Sequence, residues 1–282
     1  MSCIAFIYLY LLESPNPQEQ YQEGHESVKV SDGMNIVPDR CESPIRGHFD
    51  KIYESGGWQL KTRRPSDFYN DAAWPHKDIQ RIAASGPGSN LGNTETSLKI
   101  IKETIAKFDV KSMVDIPCGD VNWIFDSFET DTLPLYVGLD IAGEVIKVNK
   151  KRFAHHRNKQ FHFWDATSCT LPKFRNGTSE QAFDLVQVRD VIMHMPLELG
   201  VKFFCNVFKA GPKVLVATSF PDQMNKNINE GSFYRNNLMI EPFSFPKVNC
   251  TPTHPKLDND VTCVYDLTKD WVQEFLLLRC PI

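Results

Sequence analysis

The 282-residue sequence contains 41% hydrophobic and 11% aromatic residues, enough to bury the core of one large domain with extensions. Its 31 basic and 35 acidic residues give a net charge of −4, which excludes a strong electrostatic attraction to nucleic acid or anionic lipid. The eight cysteines include no Cys-x-x-Cys pair and no zinc-type spacing, so the sequence predicts no metal site.

The N-terminal part of the sequence lacks sustained periodicity. Residues 13–47 are rich in Pro, Glu, Gln, Ser and Asp, and we predict a poorly ordered segment over 1–47 that precedes a domain over 48–282. Its apolar stretch over 3–12 is too short to span a bilayer and has no basic residue before it, so it is a poor signal peptide. Aromatic residues crowd among Gly and Pro over 48–84, which suggests a lid over a site.

From residue 93 onwards, apolar runs alternate with helical periodicity. Asn93 or Thr94 is the predicted N-cap of the first helix. Continuous apolar strands separated by amphipathic helices predict an α/β fold, with a Rossmann-like, seven-stranded, mostly parallel sheet, helices on both faces and an antiparallel C-terminal edge. Irregular sequence over 221–258 predicts an insertion on the substrate side. The predicted strands are 112–116, 135–139, 160–164, 183–188, 213–219, 261–266 and 272–279, and the later helices are 121–128, 143–153 and 197–209.

The turn after the first predicted strand indicates the kind of cofactor. A dinucleotide site needs G-x-G-x-x-G, because the pyrophosphate requires close backbone approach. This turn has only Gly119, and the charge of Asp120 would repel a phosphate, while Trp123 would block close helix packing. A cofactor with a ribose, a positive charge and no phosphate fits better, and S-adenosylmethionine meets these conditions.

Four segments of the sequence carry a resemblance to a known family. Residues 85–220 resemble a class I S-adenosylmethionine-dependent methyltransferase, although Asp120 replaces the second glycine of the usual first motif. The matching segments, in order, are Val114-Asp115-Ile116-Pro117-Cys118-Gly119-Asp120, Gly138-Leu139-Asp140, Phe163-Trp164-Asp165-Ala166 and Phe183 to Val191. A narrower subgroup is suggested by Gly86-x-Gly88-Ser89…Thr94 and by Gly231…Arg235-x-Asn237-Leu238…Pro242-Phe243-x-Phe245-Pro246.

The resemblance implies which residues hold the cofactor. Asp115 and Gly119 would face its methionine end, Asp140 would accept the ribose hydroxyls, and Asp165 with Ala166 would contact the adenine. Each strand-end acid has an alternative role, which is to cap the helix that follows it. Cys118 is expected to be a free, buried thiol. The complete implied set is Asp115, Pro117, Cys118, Gly119, Asp120, Asp140, Asp165, Ala166, Ser89 and Thr94.

Candidate catalytic residues follow the fourth strand of the pattern. Arg189, Asp190 and His194 lie at the carboxyl edge of the sheet, where sites of α/β folds open. His194 comes four residues after Asp190, so on a helical turn the acid would orient the imidazole as a base. The alternative for His194 is a structural cap, and Arg189 either binds an acidic substrate or, as we prefer, ties Asp190 in place. Arg235 and Asn237 are further candidates for the acceptor pocket.

The sequence therefore predicts an S-adenosylmethionine-dependent methyltransferase that acts on an oxygen of a small molecule or a glycan. The Asn/Asp-Pro-Pro-aromatic motif of nitrogen methylation is absent at 189–193. The alternatives are a non-catalytic cofactor-binding protein and an NAD-dependent oxidoreductase. Sequons at Asn176 and Asn249 favour the secretory pathway slightly over the cytoplasm. Cys250 and Cys263 could form a disulfide bond if the compartment is oxidising.

Overall fold

A computed structural model describes residues 35–36, 51, 85, 87–89, 93–124, 133–253 and 259–280. The predicted lead-in contributes a short strand at Asn35–Ile36; its other residues and almost all of the predicted lid lie outside the described residues. The strands are β1 (Asn35–Ile36), β2 (Ser112–Asp115), β3 (Leu135–Asp140), β4 (Lys159–Phe163), β5 (Phe174–Asn176), β6 (Ser179–Gln181), β7 (Leu185–Val188), β8 (Val214–Ser219), β9 (Cys250–Pro252) and β10 (Val261–Asp266). The α-helices are α1 (Glu95–Phe108), α2 (Gly143–Arg152), α3 (Leu197–Lys209) and α4 (Trp271–Arg279), with 3-10 turns at Pro87–Ser89 and Ile192–His194.

The described residues form a seven-stranded sheet in the order β4-β3-β2-β7-β8-β10-β9. The first five strands are parallel, and β10 pairs antiparallel with both β8 and β9. Every residue of β2, β3, β7 and β8 is buried, because helices cover both faces of the sheet. The predicted Rossmann-like fold with an antiparallel C-terminal edge is confirmed.

Two hydrophobic clusters lie on opposite faces of this sheet. On one face, Ile101 of α1 and Val145 of α2 pack in the same cluster as Met113 of β2. On the other face, Phe204 of α3 and Phe275 of α4 share a cluster with Val114 of β2. Adjacent residues of β2 therefore enter different clusters, as the two-residue period of a strand requires.

The order of the strands places a crevice at one edge of the sheet. β2 has β3 on one side and β7 on the other, so the chain order reverses at β2. Ligands of open α/β sheets bind outside the carboxyl ends of the strands at such a switch point. The segments that follow β2, β3, β4 and β7 meet there.

One predicted element is wrong, and a second is wrong at its start. The predicted strand over 272–279 is helix α4, so the antiparallel edge consists of β10 and the short β9. The predicted helix over 121–128 does not begin at Val121, whose φ of 49° is incompatible with a right-handed helix. Residues 122–123 form a turn, and residues 125–128 lie outside the described part of the chain.

Disulfide bonds tie the C-terminal part to the sheet and to α3. Cys250 of β9 and Cys263 of β10 are bonded, a pairing that the sequence analysis left open. Cys205 of α3 is bonded to Cys280, at the end of α4. The 221–253 segment is irregular but packed, because the buried ring of Phe245 lies 4.8 Å from that of Phe204 in an edge-to-face arrangement.

The described residues contain neither a helix long and apolar enough to cross a membrane nor a cluster of side chains suited to a metal ion.

Candidate active site

A cleft opens at the carboxyl ends of the parallel strands. Most of the lining is apolar, and its polar groups come from the segments that follow β3, β4 and β7. The lining residues are Ile116, Pro117, Asp140, Ile141, Trp164, Asp165, Ala166, Thr167, Asp190, Val191, His194, Met195 and Phe203.

Asp140, the last residue of β3, joins two segments at the floor of the cleft. Its Oδ2 accepts a hydrogen bond of 2.9 Å from the backbone N–H of Gly119, and its Oδ1 accepts one of 2.9 Å from the N–H of Ala142. The carboxylate is 3% exposed and also lines the cleft. Asp140 therefore holds the first turn against the start of α2 while it presents acceptor oxygens to a ligand.

The turn that follows β2 is fixed by its backbone. Asn149 of α2 donates a hydrogen bond of 2.7 Å to the carbonyl of Gly119, and Arg152 of α2 donates one of 3.0 Å to the carbonyl of Asp120. The N–H of Asp120 donates to the hydroxyl of Ser85 at 2.9 Å. Gly119 itself has a φ of 54°, which glycine adopts without strain. These contacts make the turn a rigid part of the site.

Gly138 allows the close packing of β3 beneath this turn. A Cβ at position 138 would lie 2.6 Å from the ring of Phe161 and 3.0 Å from Sγ of Cys118. Cys118 is buried and free, as predicted. The glycine of the second motif is thus required by packing against β4 and the first turn, and not by a positive φ.

Asp115 ends β2 in a completely buried position. The hydroxyl of Tyr136 donates a hydrogen bond of 2.8 Å to its Oδ2. The pKa of Asp115 is raised from 3.8 to about 7, mainly by burial; the hydrogen bond from Tyr136 opposes this shift, the nearby Asp140 adds to it, and Arg189 opposes it. The carboxyl group of Asp115 lies behind the cleft lining and adds a negative charge there when it ionises.

Asp165 follows β4 and makes local contacts with the residues after it. Its Oδ1 accepts hydrogen bonds from the N–H and the hydroxyl of Thr167 at 2.8 and 2.6 Å, and its Oδ2 accepts one from Ser168 at 2.9 Å. Residues 166–168 form a turn and no helix follows, so these bonds close a turn and do not cap a helix, which was the alternative role predicted for this acid. Asp165 and Ala166 also line the cleft, so the turn contacts and a ligand contact are compatible.

Arg189 organises the opposite side of the cleft. Its Nη1 lies 3.1 Å from Oδ2 of Asp190, which agrees with the preferred prediction that it ties this acid in place. Its Nη2 donates a hydrogen bond of 2.9 Å to the carbonyl of Gly88, and the guanidinium lies 5.2 Å from the ring centroid of Trp123. Arg189 is 7% exposed and joins three separate segments of the chain.

His194 lies in a 3-10 turn at the mouth of the cleft. Its Nδ1 is 3.0 Å from the carbonyl of Ser232, so this carbonyl accepts a hydrogen bond from the ring and leaves the lone pair of the neutral imidazole on Nε2. The prediction that Asp190 orients the ring needs correction, because the carbonyl of Ser232 takes that position. Burial lowers the pKa of His194 below 6.5, against smaller opposite effects of Ser232 and Asp190.

The irregular segment after β8 packs against this histidine. The N–H of Gly231 donates to the carbonyl of His194 at 2.9 Å, and the ring of Phe233 lies 5.9 Å from the imidazole. Asn237 is buried, and its side chain donates to the carbonyls of Pro221 and Gln223. Asn237 thus holds this segment in place. The other candidate for the acceptor pocket, Arg235, is not a lining residue of the cleft.

The cleft brings together only part of the predicted site. Pro117, Asp140, Asp165, Ala166, Asp190 and His194 line it. Asp115, Cys118, Gly119, Asp120, Arg189, Ser89 and Thr94 are not lining residues, and all but Ser89 and Thr94 support the lining through the contacts described above. Thr94 is buried at the N-cap of α1 without a side-chain capping bond. The predicted site omitted the apolar lining residues, although their places beside strand ends would have identified several; these residues are Ile116, Ile141, Trp164, Val191, Met195 and Phe203.

The charges of the lining are of one sign. Asp140, Asp165 and Asp190 contribute carboxylates, and among the described residues no Lys or Arg lines the cleft. Such a lining favours cations and hydroxyl groups and disfavours phosphates. The arrangement suits a ligand with a ribose and a positive charge.

Solved structures provide the comparison for this fold. The chain is similar to magnesium protoporphyrin IX methyltransferase (ChlM) from Synechocystis PCC 6803 with bound SAM, at 13% identity and a TM-score of 0.50, over 80% of this chain and 98% of that chain. The fold is shared. PigF with SAH matches at 13% identity and a TM-score of 0.41, over 60% of this chain and 56% of that one. The methyltransferase domain of bacterial CtHen1 matches at 15% identity and a TM-score of 0.37, over 45% of this chain and 66% of that one, slightly less than two thirds of its length.

No family model matches the sequence, and no curated protein matches it.

Proposed function

We propose that this chain is an S-adenosylmethionine-dependent methyltransferase that transfers the methyl group to an oxygen of a small molecule or a glycan. The observation that carries the proposal is the acidic cleft at the switch point of the sheet, whose described lining has three carboxylates and neither Lys nor Arg. The structure of ChlM with bound SAM, which has the same fold, supports the choice of cofactor.

The residues of the cleft fit this cofactor. Asp140 offers carboxylate oxygens to the ribose hydroxyls, and Ile141 with Ala166 offers apolar surface to the adenine ring. The turn at Gly119 and the buried Asp115 provide the electronegative side for the ammonium group. S-adenosylmethionine supplies a methyl group already activated by the sulfonium, so the protein contributes mainly alignment of the acceptor and removal of its proton.

His194 favours an oxygen acceptor. A hydroxyl group must lose its proton as the new bond forms, and a neutral imidazole is a suitable base near neutral pH. The pKa of His194 is lowered by burial, and the contact of Nδ1 with Ser232 directs the basic Nε2 as the acceptor of that proton. Asp190, which also lines the cleft, stabilises the imidazolium that results.

The segment beside His194 exposes large apolar side chains. Phe233, whose ring faces His194, is 58% exposed, and Met224 in the same segment is 81% exposed. A ring-shaped acceptor with a hydroxyl group would gain contact with such side chains and present its oxygen to His194. An aromatic or sugar ring is therefore the preferred acceptor class.

Calorimetric titration of the full chain tests the cofactor assignment. We expect binding heat with S-adenosylmethionine and with its demethylated product, and none with NAD. Binding of NAD without binding of S-adenosylmethionine would contradict the proposal and favour an oxidoreductase.

A screen for labelled methyl incorporation tests the activity itself. Aromatic alcohols, sugars and amines are offered in parallel arms, each with the demethylated product as an inhibitor control. We expect incorporation into hydroxyl compounds. Tight cofactor binding with no incorporation in any arm would identify a non-catalytic cofactor-binding protein, and incorporation only into amines would overturn the oxygen assignment.

A further inference from the structure

A β-hairpin that was not predicted from the sequence projects one of the two sequons into solvent. β5 and β6 pair antiparallel with Asn176 opposite Ser179, so Gly177 and Thr178 are the two turn residues. Gly177 has a φ of 64° and Thr178 does not have a positive φ, which is the pattern of a type II′ turn with glycine at its first position. Asn176, Gly177 and Thr178 are all exposed.

The hairpin is held rigidly at its base, away from the cleft. Phe174 at the start of β5 is buried, with its ring 5.2 Å from that of Phe183. β1 pairs with β5 on the side opposite β6. No residue from 174 to 181 lines the cleft. A large group attached to the tip would therefore not obstruct the proposed active site.

The cysteines supply an independent indication of the compartment. Among the described residues, five of the six cysteines are in disulfide bonds: Cys169, Cys205, Cys250, Cys263 and Cys280. The sixth, Cys118, is buried in the turn that follows β2. Disulfides form and persist in oxidising compartments such as the lumen of the secretory pathway, and they are rare in the cytosol. Enzymes that attach oligosaccharides to Asn-x-Ser/Thr act in that lumen.

We propose that Asn176 carries an N-linked glycan, and that the protein is accordingly a resident or a product of the secretory pathway. In the transfer step, the amide nitrogen of Asn176 bonds to the anomeric carbon of a lipid-pyrophosphate-linked oligosaccharide. The bond from that carbon to the phosphate oxygen breaks, and the lipid pyrophosphate leaves with the displaced amide proton taken up by solvent. This modification is independent of the proposed methyltransferase activity.

A glycan at this position would also protect an exposed sheet edge. β6 is the outer strand of the described β1-β5-β6 sheet, and all three of its residues are exposed. Unpaired edge strands are prone to pair with other chains unless charge, bulges or bulky groups cover them. An oligosaccharide beside β6 is bulky and strongly hydrated, so it would hinder such pairing.

The second sequon provides an internal comparison. Asn249 is exposed, but the next residue, Cys250, is bonded to Cys263 and begins β9, which is paired along β10. The sequon at Asn249 is thus held on the main sheet, whereas that at Asn176 lies at a projecting tip. The proposal concerns Asn176 alone.

The test uses the full chain expressed in cultured eukaryotic cells. The purified protein is treated with the amidase that removes N-glycans in heavy-oxygen water, which marks each formerly glycosylated Asn as a labelled Asp, and the peptides are then sequenced by mass spectrometry. We expect the label at position 176 and a faster-migrating band after treatment. An unmodified Asn176, or label found only at position 249, would overturn the proposal.

Four variants sharpen this result. N176Q and T178V should each migrate faster than the native protein by the amount that one glycan accounts for. T178S keeps the sequon and should migrate like the native protein. N249Q, the matched control, should leave the label at position 176 unchanged. Retention of the full shift in T178V would show that the sequon is not used, even if another variant failed to fold.

Discussion

The two sides of the cleft are constructed differently. On the proposed cofactor side, the side chains of Asp140, Asn149 and Arg152 bind the main chain of Gly119, Ala142 and Asp120, so they hold the turn after β2 itself. On the proposed acceptor side, the side chain of Arg189 pairs with that of Asp190, and the ring of His194 bonds to the carbonyl of Ser232 in the irregular segment after β8. Substitution on the first side should therefore change stability and cofactor affinity together, whereas substitution on the second can change turnover alone.

The largest effect is expected for His194→Ala. Loss of a general base typically reduces the rate on the order of 10²–10⁴-fold, and His194 makes no described contact with the cofactor turn. Turnover with a hydroxyl acceptor should fall, while calorimetric cofactor affinity and the free energy of unfolding stay close to native values. Comparable losses of turnover, cofactor affinity and unfolding free energy would assign His194 a structural role, and the two sides of the cleft would then not differ in this respect.

The pH dependence provides a second readout for the same residue. Because the pKa of His194 is lowered below 6.5, the base is neutral at pH 7 and above. Native turnover should be constant at neutral pH and decline on acidification below pH 6.5, and the residual activity of His194→Ala should lack this decline.

Asp140→Ala should have the next largest effect, and on stability as well as binding. Two hydrogen bonds from backbone N–H groups to a charged carboxylate are lost, which corresponds to about 3–5 kcal/mol of unfolding free energy. Denaturant unfolding and calorimetry should therefore both change. The control is Asp222→Ala, an exposed acid of the irregular segment. Loss of binding at native stability would show that the turn does not depend on this carboxylate.

Asp115→Asn tests the buried acid behind the cleft. The folded protein holds the proton of Asp115 up to about pH 7, whereas the unfolded chain releases it near pH 3.8. The contribution of this group to stability is thus complete below pH 3.8 and is lost as the pH rises to about 7. The difference in unfolding free energy between D115N and native protein should therefore shift in favour of D115N by on the order of 3 kcal/mol from pH 4 to pH 8. The exposed control Glu103→Gln should show no such gain, and a parallel pH profile for D115N and native protein would contradict the raised pKa.

The smallest effect is expected for Arg189→Lys. An ammonium retains the charge beside Asp190 but cannot also donate to the carbonyl of Gly88 and lie flat on Trp123. We expect the free energy of unfolding to fall by about 1–2 kcal/mol and the backbone amides over 87–89 to exchange hydrogen faster. Unchanged exchange over 87–89 would show that the bond to Gly88 does not hold this segment.

Burial determined which elements could be predicted from the sequence. The parallel strands were predictable because both faces are covered, so that β3, for example, is apolar along almost its whole length. Helix α4 was mistaken for a strand because Leu277 and Leu278 are 86% and 68% exposed, and its apolar residues do not follow one face. The hairpin β5–β6 was missed for the opposite reason, since its strand residues beyond Phe174 are polar and exposed.

The site was predictable to the extent that it depends on strand ends. Asp140, Asp165 and Asp190 follow strands of the parallel sheet, and the switch-point rule places them in one cleft. The contact of His194 with the carbonyl of Ser232 spans 38 residues and involves a backbone oxygen, which no residue type signals. Similarly, the turn at Val121 interrupts a pattern that resembles a helix, because the preceding residues Gly119 and Asp120 are held by contacts with other segments.

The disulfide between Cys205 and Cys280 has a topological consequence. It joins residues 75 positions apart, and β8, β9, β10 and the irregular acceptor-side segment all lie between them. Over this interval the polypeptide is a closed ring, so one cut in the exposed loop near Met224 would open the ring without releasing a fragment. The new ends would lie at an exposed position, where peptides could be appended while the described sheet keeps every strand.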